Sequence, residues 1–240
     1  MPIYMNPAQS KLGKGGSVRA DLARLGISGQ PGAFNGPEVV GFAMEVAVAP
    51  PEIKSRRFVS RALAPSDYAQ LVRVMAENDE RLAPSGQAPG ADDLPADADA
   101  FATWIEQFDL LRSLDQRYEF SWFADDVLMG GTSLWGVVRS TAQSAFLGGW
   151  VASSHAGQNA GGELFVATCQ FGFEKLGLHR LEMPTLLDNA LITRLLVGLG
   201  IRDEGVTERF LQVNGEWRDH RRYVITAEEW QARREELLGA

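Results

Sequence analysis

The chain has 240 residues, 45% of them hydrophobic, so it is long enough to bury the core of one domain with an extension. Its net charge of −8 argues against a nucleic-acid-binding protein, which needs a basic face, and suits a cationic partner. The single cysteine, Cys169, excludes an internal disulfide and a thiolate metal cluster, which fits the reducing cytoplasm, and no histidine and carboxylate spacing predicts a metal site. No signal peptide or membrane segment is expected, because the longest early apolar run, residues 39–49, is interrupted by Glu45.

The first part of the chain, residues 1–55, is interpreted as an extension of the main domain. Small, polar and basic residues over residues 1–16 predict either a mobile arm or a tail that docks on another surface. A short helix is predicted over residues 17–25 and a strand over residues 39–48, with no residue pattern that carries chemistry. This extension is either an oligomer contact or a cover over one face of the domain that follows, residues 56–240.

The domain begins with a change of pattern. Alternation predicts a strand over residues 57–63. Helices are predicted over residues 65–78 and 101–114, with a long loop rich in Pro, Gly and Asp between them. An antiparallel meander of three strands follows, at residues 118–124, 127–138 and 145–152.

The remaining elements complete a mixed, mostly antiparallel sheet flanked by helices. Helices are predicted over residues 163–176, 187–199 and 227–238, and a strand over residues 178–183. Two final strands, at residues 203–213 and 218–226, form a hairpin across Asn214-Gly215, which is a strong turn signal. The fold class is therefore α/β, in the sense of an α+β arrangement around one sheet.

One junction has the composition of an anion site. The strand at residues 145–152 runs into a loop of small residues, 153–162, that opens a helix. The first N–H groups of a helix lack intrahelical acceptors and lie at the positive end of its dipole, and glycines allow a phosphate to approach the backbone closely. The alternative is a tight turn without a ligand, because short glycine patterns occur often by chance.

Several segments, in this order, resemble the GCN5-related N-acetyltransferase (GNAT) superfamily and, within it, the RimJ/RimL-like branch that acetylates N-termini of ribosomal proteins. The resemblance covers residues 56–230 and is strongest after Gly149. The segments that carry it are Gly149-Trp150-Val151, residues 156–161, residues 173–182, Asp188-Asn189-Ala190, Leu199-Gly200-Ile201 and residues 214–220.

The resemblance implies a GNAT fold with splayed fourth and fifth strands and acetyl-CoA as co-substrate, with no metal. The loop would hold the diphosphate on backbone amides, and the edge of the fourth strand would pair with the pantetheine arm. The residues assigned in this way to acetyl-CoA are Trp150, Val151, Ala152, Gly157, Gln158, Asn159, Ala160, Gly161, Gly162, Asn189 and Arg194.

The activity implied is N-acetylation of a primary amine, for example a protein N-terminal α-amine, by direct attack in a ternary complex. Tyr223 is a candidate general acid or else a half-buried strand aromatic. Asn189 contacts the cofactor, caps its helix, or does both. Glu119 and Glu182 are candidate bases or else strand carboxylates on a solvated face. No nucleic acid or membrane is an expected partner, and a homodimer remains open.

The chain also departs from the family pattern. The loop usually reads Gln/Arg-x-x-Gly-x-Gly/Ala, and those places here hold Ala156, Asn159 and Gly161, although Asn tolerates the left-handed backbone conformation. Ile192 stands where the branch often carries a serine that would protonate the thiolate, and Phe146 stands where a glutamate is common. These changes motivate an alternative function, a GNAT-fold protein that binds CoA or a protein partner without turnover.

Overall fold

The computed structural model describes residues 52–85 and 94–239 of the chain. The arm, the short helix and the strand predicted between residues 1 and 51 lie outside the described residues, and the division of the chain at residue 55 stays a prediction.

Eight strands and five α-helices form the described part of the chain. The strands are β1 (Ile53–Lys54), β2 (Val59–Arg61), β3 (Arg117–Ala124), β4 (Val127–Val138), β5 (Ser144–Val151), β6 (Arg180–Leu186), β7 (Arg202–Val213) and β8 (Glu216–Thr226). The helices are α1 (Tyr68–Leu82), α2 (Ala98–Ser113), α3 (Ala160–Glu174), α4 (Ala190–Gly198) and α5 (Ala227–Gly239). None of these helices is both long enough and apolar enough to cross a membrane.

The strands form one sheet in the order β1-β2-β3-β4-β5-β6-β8-β7. All neighbours are antiparallel except β5 and β6, which are parallel, so the predicted mixed and mostly antiparallel sheet is confirmed. The predicted β3-β4-β5 meander and the β7-β8 hairpin are also present. Asn214 and Gly215 have φ values of 51° and 84°, and this left-handed pair is what a tight hairpin turn requires.

The sheet is packed on both faces. Helices α1 and α2 contribute to one apolar cluster, and α3 and α5 contribute to the other. Side chains of β5 alternate between the two, because Leu147 belongs to the α3 cluster and Trp150 to the α1 and α2 cluster. Cys169 lies in α3 and is 1% exposed, and burial raises the pKa of its thiol, as expected of an inert core cysteine.

The parallel pair separates after three residues. Ser144, Ala145 and Phe146 pair with Arg180, Leu181 and Glu182. Beyond these pairs β5 continues to Val151 and β6 to Leu186 without further pairing to each other. The predicted splay is therefore present, and it opens a wedge that points towards the start of α3.

Two boundaries differ from the predictions in ways that affect this wedge. Strand β6 extends three residues beyond the predicted end and contains Pro184, which is tolerated because this part of β6 has no strand on its β5 side. Helix α3 begins at Ala160, so Gly161 and Gly162 belong to its first turn rather than to the loop.

Candidate functional site

A cleft of about 590 Å³ occupies the wedge between β5 and β6. Its walls are the open end of β5, the turn that follows it, the first turns of α3 and α4, and the end of α1. The cleft is mainly apolar, with a few polar groups at its mouth, which is the usual composition of a site for a small organic ligand.

The open end of β5 presents free backbone groups to this cleft. Ala152 donates its N–H to the Met129 carbonyl at 2.8 Å, and Trp150 lies opposite Gly131 in the same antiparallel ladder. Successive residues of a strand point their backbone groups to opposite sides. The groups that face the gap therefore belong to Gly149 and Val151, whereas Trp150 and Ala152 bond back to β4.

Small residues make this edge accessible. A Cβ atom on Gly149 would lie 2.6 Å from the Gly131 carbonyl oxygen, and one on Gly131 would lie 2.6 Å from Nε1 of Trp150. Glycine at these positions lets β4 and β5 approach and lets the Trp150 indole lie across the sheet.

The turn after β5 directs the chain into α3. A short 3-10 turn at Ser153–His155 is followed by Gly157 with φ of 79° and by Asn159 with φ of 60°. Asn159 thus adopts the left-handed conformation expected of it, and α3 starts at the next residue. Ala160, Gly161 and Gly162 line the cleft, and N–H groups of the first helical turn have no intrahelical acceptor.

An ion-pair cluster holds this turn from the side away from the cleft. The Glu163 carboxylate is 6% exposed and accepts hydrogen bonds from Arg57 Nε at 2.6 Å and Ser55 Oγ at 3.2 Å. Arg57 also donates to the Gln158 carbonyl at 2.6 Å, so one guanidinium joins the helix to the turn before it. Neither Gln158 nor Ala152, both assigned to the cofactor from the sequence, lines the cleft.

The ionisable side chains that line the cleft are Arg81 from α1, His155 from the turn and Arg194 from α4. Two of them are arginines, and within the described residues no carboxylate lines the cleft. In a chain with a net charge of −8, such a local excess of positive charge is complementary to an anionic ligand. Arg194, assigned to the cofactor from the sequence, is exposed at the mouth.

Asn189 lies in the cleft and also caps α4. Its Oδ1 accepts the Ile192 N–H at 3.2 Å, which is the N-cap arrangement expected of asparagine. Ile192 also lines the cleft and contributes an apolar surface where the resemblance would place a hydroxyl.

Glu119 and Tyr223 do not line the cleft. Glu119 forms a partly buried ion pair with Arg117 and lines a separate cavity of about 60 Å³ beneath α1 and α2, which Trp150 also lines. Burial raises the pKa of Glu119, and the charge of Arg117 partly opposes the shift. Tyr223 is 2% exposed and packs in the α3 cluster opposite Met183 of β6.

Glu182 lies at the apex of the wedge, as the last residue of β6 paired with β5. Its carboxylate accepts a hydrogen bond from Arg180 Nε at 2.8 Å and forms an ion pair with Arg222. These two arginines make Glu182 a structural contact between β6 and β8.

Comparison with known proteins gives a consistent result. A family model described as "Acetyltransferase (GNAT) domain" matches residues 57–202. The probable N-acetyltransferase YjcK of Bacillus subtilis is 32% identical over 113 residues, which are 46% of this chain. The match covers 62% of YjcK, which is less than two thirds of its length. The [ribosomal protein uS5]-alanine N-acetyltransferase of Escherichia coli is 23% identical over 72% of this chain and 90% of its own.

Among solved structures, Mycobacterium smegmatis RimJ in complex with CoA-disulfide is similar, with a TM-score of 0.69 and 25% identity over 76% of this chain and 90% of that one. The family model, which matches residues 57–202, spans more than half of the chain. The chain therefore belongs to the GNAT acetyltransferase family and has RimJ/RimL-like structural neighbours.

Proposed function

We propose that this protein is an acetyl-CoA-dependent N-acetyltransferase that acts on a primary amine, with a protein N-terminal α-amine as its acceptor. The observation that carries the proposal is a single cleft that combines a free strand edge with a basic, helix-terminated mouth. The name of the E. coli relative gives an alanine of ribosomal protein uS5 as the group that it acetylates, which supports an acceptor of this kind.

The residues of the cleft fit the parts of acetyl-CoA. Backbone N–H groups at Ala160, Gly161 and Gly162, at the positive end of α3, suit the diphosphate. Backbone groups of Gly149 and Val151 suit the amides of the pantetheine arm, as an added strand would. Acetyl-CoA supplies the activated acetyl group as a thioester.

Direct transfer requires no covalent bond between the protein and the acetyl group. The amine nitrogen forms a bond to the acetyl carbon, and the carbon–sulfur bond breaks so that sulfur leaves with the electron pair. Nitrogen loses a proton, and one proton is added to sulfur to give the CoA thiol. The chain's part is to hold both reactants in line and to stabilise the developing oxyanion. Asn189 suits the second task, because it lines the cleft and the helix cap uses its Oδ1, which leaves its amide nitrogen as a donor.

A second candidate is a CoA-binding or protein-interaction module without turnover. Ile192 offers no proton to a thiolate, and Tyr223 is in the core. Phe146, in the place of a common glutamate, packs on Trp135 with ring centroids 4.5 Å apart. The lack of a proton donor or a carboxylate at Ile192 and Phe146 and the burial of Tyr223 favour the module. The enzyme is favoured because direct transfer needs few special side chains.

One experiment in two stages separates these functions. Acetyl-CoA should raise the melting temperature of the full chain, because a ligand that binds only the folded state stabilises it. Release of CoA thiol is then measured with peptides that carry a free N-terminal amine, with the same peptides N-acetylated as controls. A rise with release only from free amines supports the enzyme, and a rise without release supports a CoA-binding module. No rise contradicts both the enzyme and the CoA-binding module.

A further inference from the structure

Arg81 connects α1 to the end of β5. Its guanidinium donates hydrogen bonds to Asn78 Oδ1 at 3.0 Å and to the carbonyl oxygen of Val151. Asn78 is 3% exposed, and its Oδ1 also accepts the Ser153 N–H at 2.8 Å. The side chain of Arg81 is therefore placed by a buried amide at the point where β5 ends and the turn begins.

The Val151 carbonyl is one of the backbone groups of the open strand edge that have no partner on β6. Its neighbour Ala152 bonds to β4, so Val151 faces the gap that separates β5 from β6. Arg81 occupies this acceptor in the structure, and a ligand that pairs along the edge would need the same oxygen.

The guanidinium has no fixed anionic partner to compensate for this position. Arg81 forms no ion pair with a carboxylate of the described residues, and the cleft that it lines contains a second arginine, Arg194, and no described carboxylate. Arg81 is exposed, and the burial of part of its side chain lowers the pKa of the guanidinium. A phosphate at the start of α3 would compensate it.

We propose that Arg81 is a phosphate-binding residue that exchanges partners, from the Val151 carbonyl in the free protein to the diphosphate of acetyl-CoA in the complex. This inference rests on the proposed function and assigns to α1 a role in the cofactor site. Arg81 thus contributes twice to binding, with opposite signs: it attracts phosphates, and it competes with the pantetheine arm for Val151.

The two contributions separate when the ligand is shortened. Arg81→Gln should weaken binding of acetyl-CoA about tenfold or more, the loss expected for one charge-assisted hydrogen bond to phosphate. The same variant should bind acetyl-pantetheine, which has no diphosphate, as tightly as the unaltered protein or more tightly. Arg81→Lys keeps the charge and should retain most of the affinity for acetyl-CoA.

The test is calorimetric titration of the full chain with acetyl-CoA, its 3′-dephospho form and acetyl-pantetheine. Arg73→Gln is the matched control, because Arg73 is exposed on the same helix and does not line the cleft, and it should leave all three affinities unchanged. The loss in Arg81→Gln should persist with the 3′-dephospho ligand. Melting temperatures of the variants establish that each is folded.

Equal weakening of acetyl-CoA and acetyl-pantetheine would make Arg81 a structural contact and overturn the inference. Unchanged affinities would do the same, and so would a loss that disappears with the 3′-dephospho ligand, since the contact would then be to the 3′-phosphate. If the unaltered protein binds none of the ligands, the proposed function fails first.

Discussion

The two halves of β5 have different surroundings, although they belong to one continuous strand. The paired half, Ser144 to Phe146, lies between β4 and β6, and its Ala145 is 3% exposed and belongs to the α3 cluster. The open half, Leu147 to Val151, keeps its β4 neighbour but faces the cleft on the other side. Because a strand edge without a partner gives up stabilising hydrogen bonds, the difference suggests that the paired half maintains the fold and the open half serves the ligand.

The largest effect should come from a residue of β6 that pairs with the paired half of β5. Leu181 of β6 is 0% exposed and packs against Gly172 of α3, where an added Cβ would lie 3.1 Å from Leu181 Cδ1. Leu181→Ala should lower the free energy of unfolding by about 2 to 5 kcal/mol, because it leaves a cavity in the core. Urea denaturation measures the loss. The dissociation constant of acetyl-CoA, measured well below the transition, should stay unchanged, and a weaker affinity would contradict the separation of the two halves.

The next largest effect should come from the mouth of the open half. Gly161→Asp places a carboxylate at the start of α3 and should weaken acetyl-CoA binding about a hundredfold, or about 2.8 kcal/mol. The site has room, since the nearest atom to an added Cβ is 3.6 Å away. Gly161→Ala is therefore the control and should bind normally. Calorimetry checks both variants, and equal affinity of the Asp and Ala variants would show that this turn is not the anion site.

A smaller effect is expected from the support behind the turn. Arg57→Gln removes the links from the guanidinium to Glu163 and to the Gln158 carbonyl, and it should raise the KM for acetyl-CoA about threefold to tenfold, with kcat at saturation retained. Arg56→Gln is the control, because Arg56 is 59% exposed and reaches Glu163 only at 3.3 Å. Equal changes in both variants, or a fall in kcat alone, would argue against a positioning role for Arg57.

The smallest effect concerns how the stability of the fold depends on pH, through a carboxylate of β7 that binds Arg180, the β6 partner of Ser144. Hydrogen bonds from Arg180, which starts β6, lower the pKa of Glu204 from 4.5 to about 2. A carboxyl with a lowered folded-state pKa adds stability above its unfolded value and loses it as the pH falls through the folded one. The unaltered protein should therefore lose more stability than Glu204→Gln between pH 5 and pH 2. The excess should be below about 1 kcal/mol, since Glu204 is partly exposed. Parallel acid titrations followed by circular dichroism measure it.

Local patterns predicted the elements that decide the shape of the cleft. The three strands of the meander were predicted, Asn214-Gly215 predicted the last hairpin, and the tolerance of asparagine for the left-handed conformation anticipated the backbone of Asn159. Boundaries were less well predicted at Pro184, which reads as a strand end but lies in a part of β6 that has no partner on one side. Such tolerance depends on neighbouring strands and not on the local sequence.

Contacts between distant segments were not predictable in the same way. Arg81 meets Val151, and Arg57 meets Glu163, only because the sheet brings α1 and the start of β2 to the ends of β5 and α3. The side of the sheet on which Tyr223 lies follows from its register with Met183, which a single sequence does not fix. The two roles proposed for Asn189 could be predicted from the sequence, because the same local motif places this residue at the start of α4 and beside the cleft.

Trp150 gives this arrangement an optical consequence. Of the six tryptophans, it is the one that lines the cleft in the described part of the chain, and it also reaches the small cavity beneath α1 and α2. Its indole nitrogen lies over Gly131, so its environment changes when either space is filled. Indole emission depends on local polarity, which makes occupancy of the cleft visible by intrinsic fluorescence without any label, and Trp150→Phe identifies the share of the signal that belongs to the cleft.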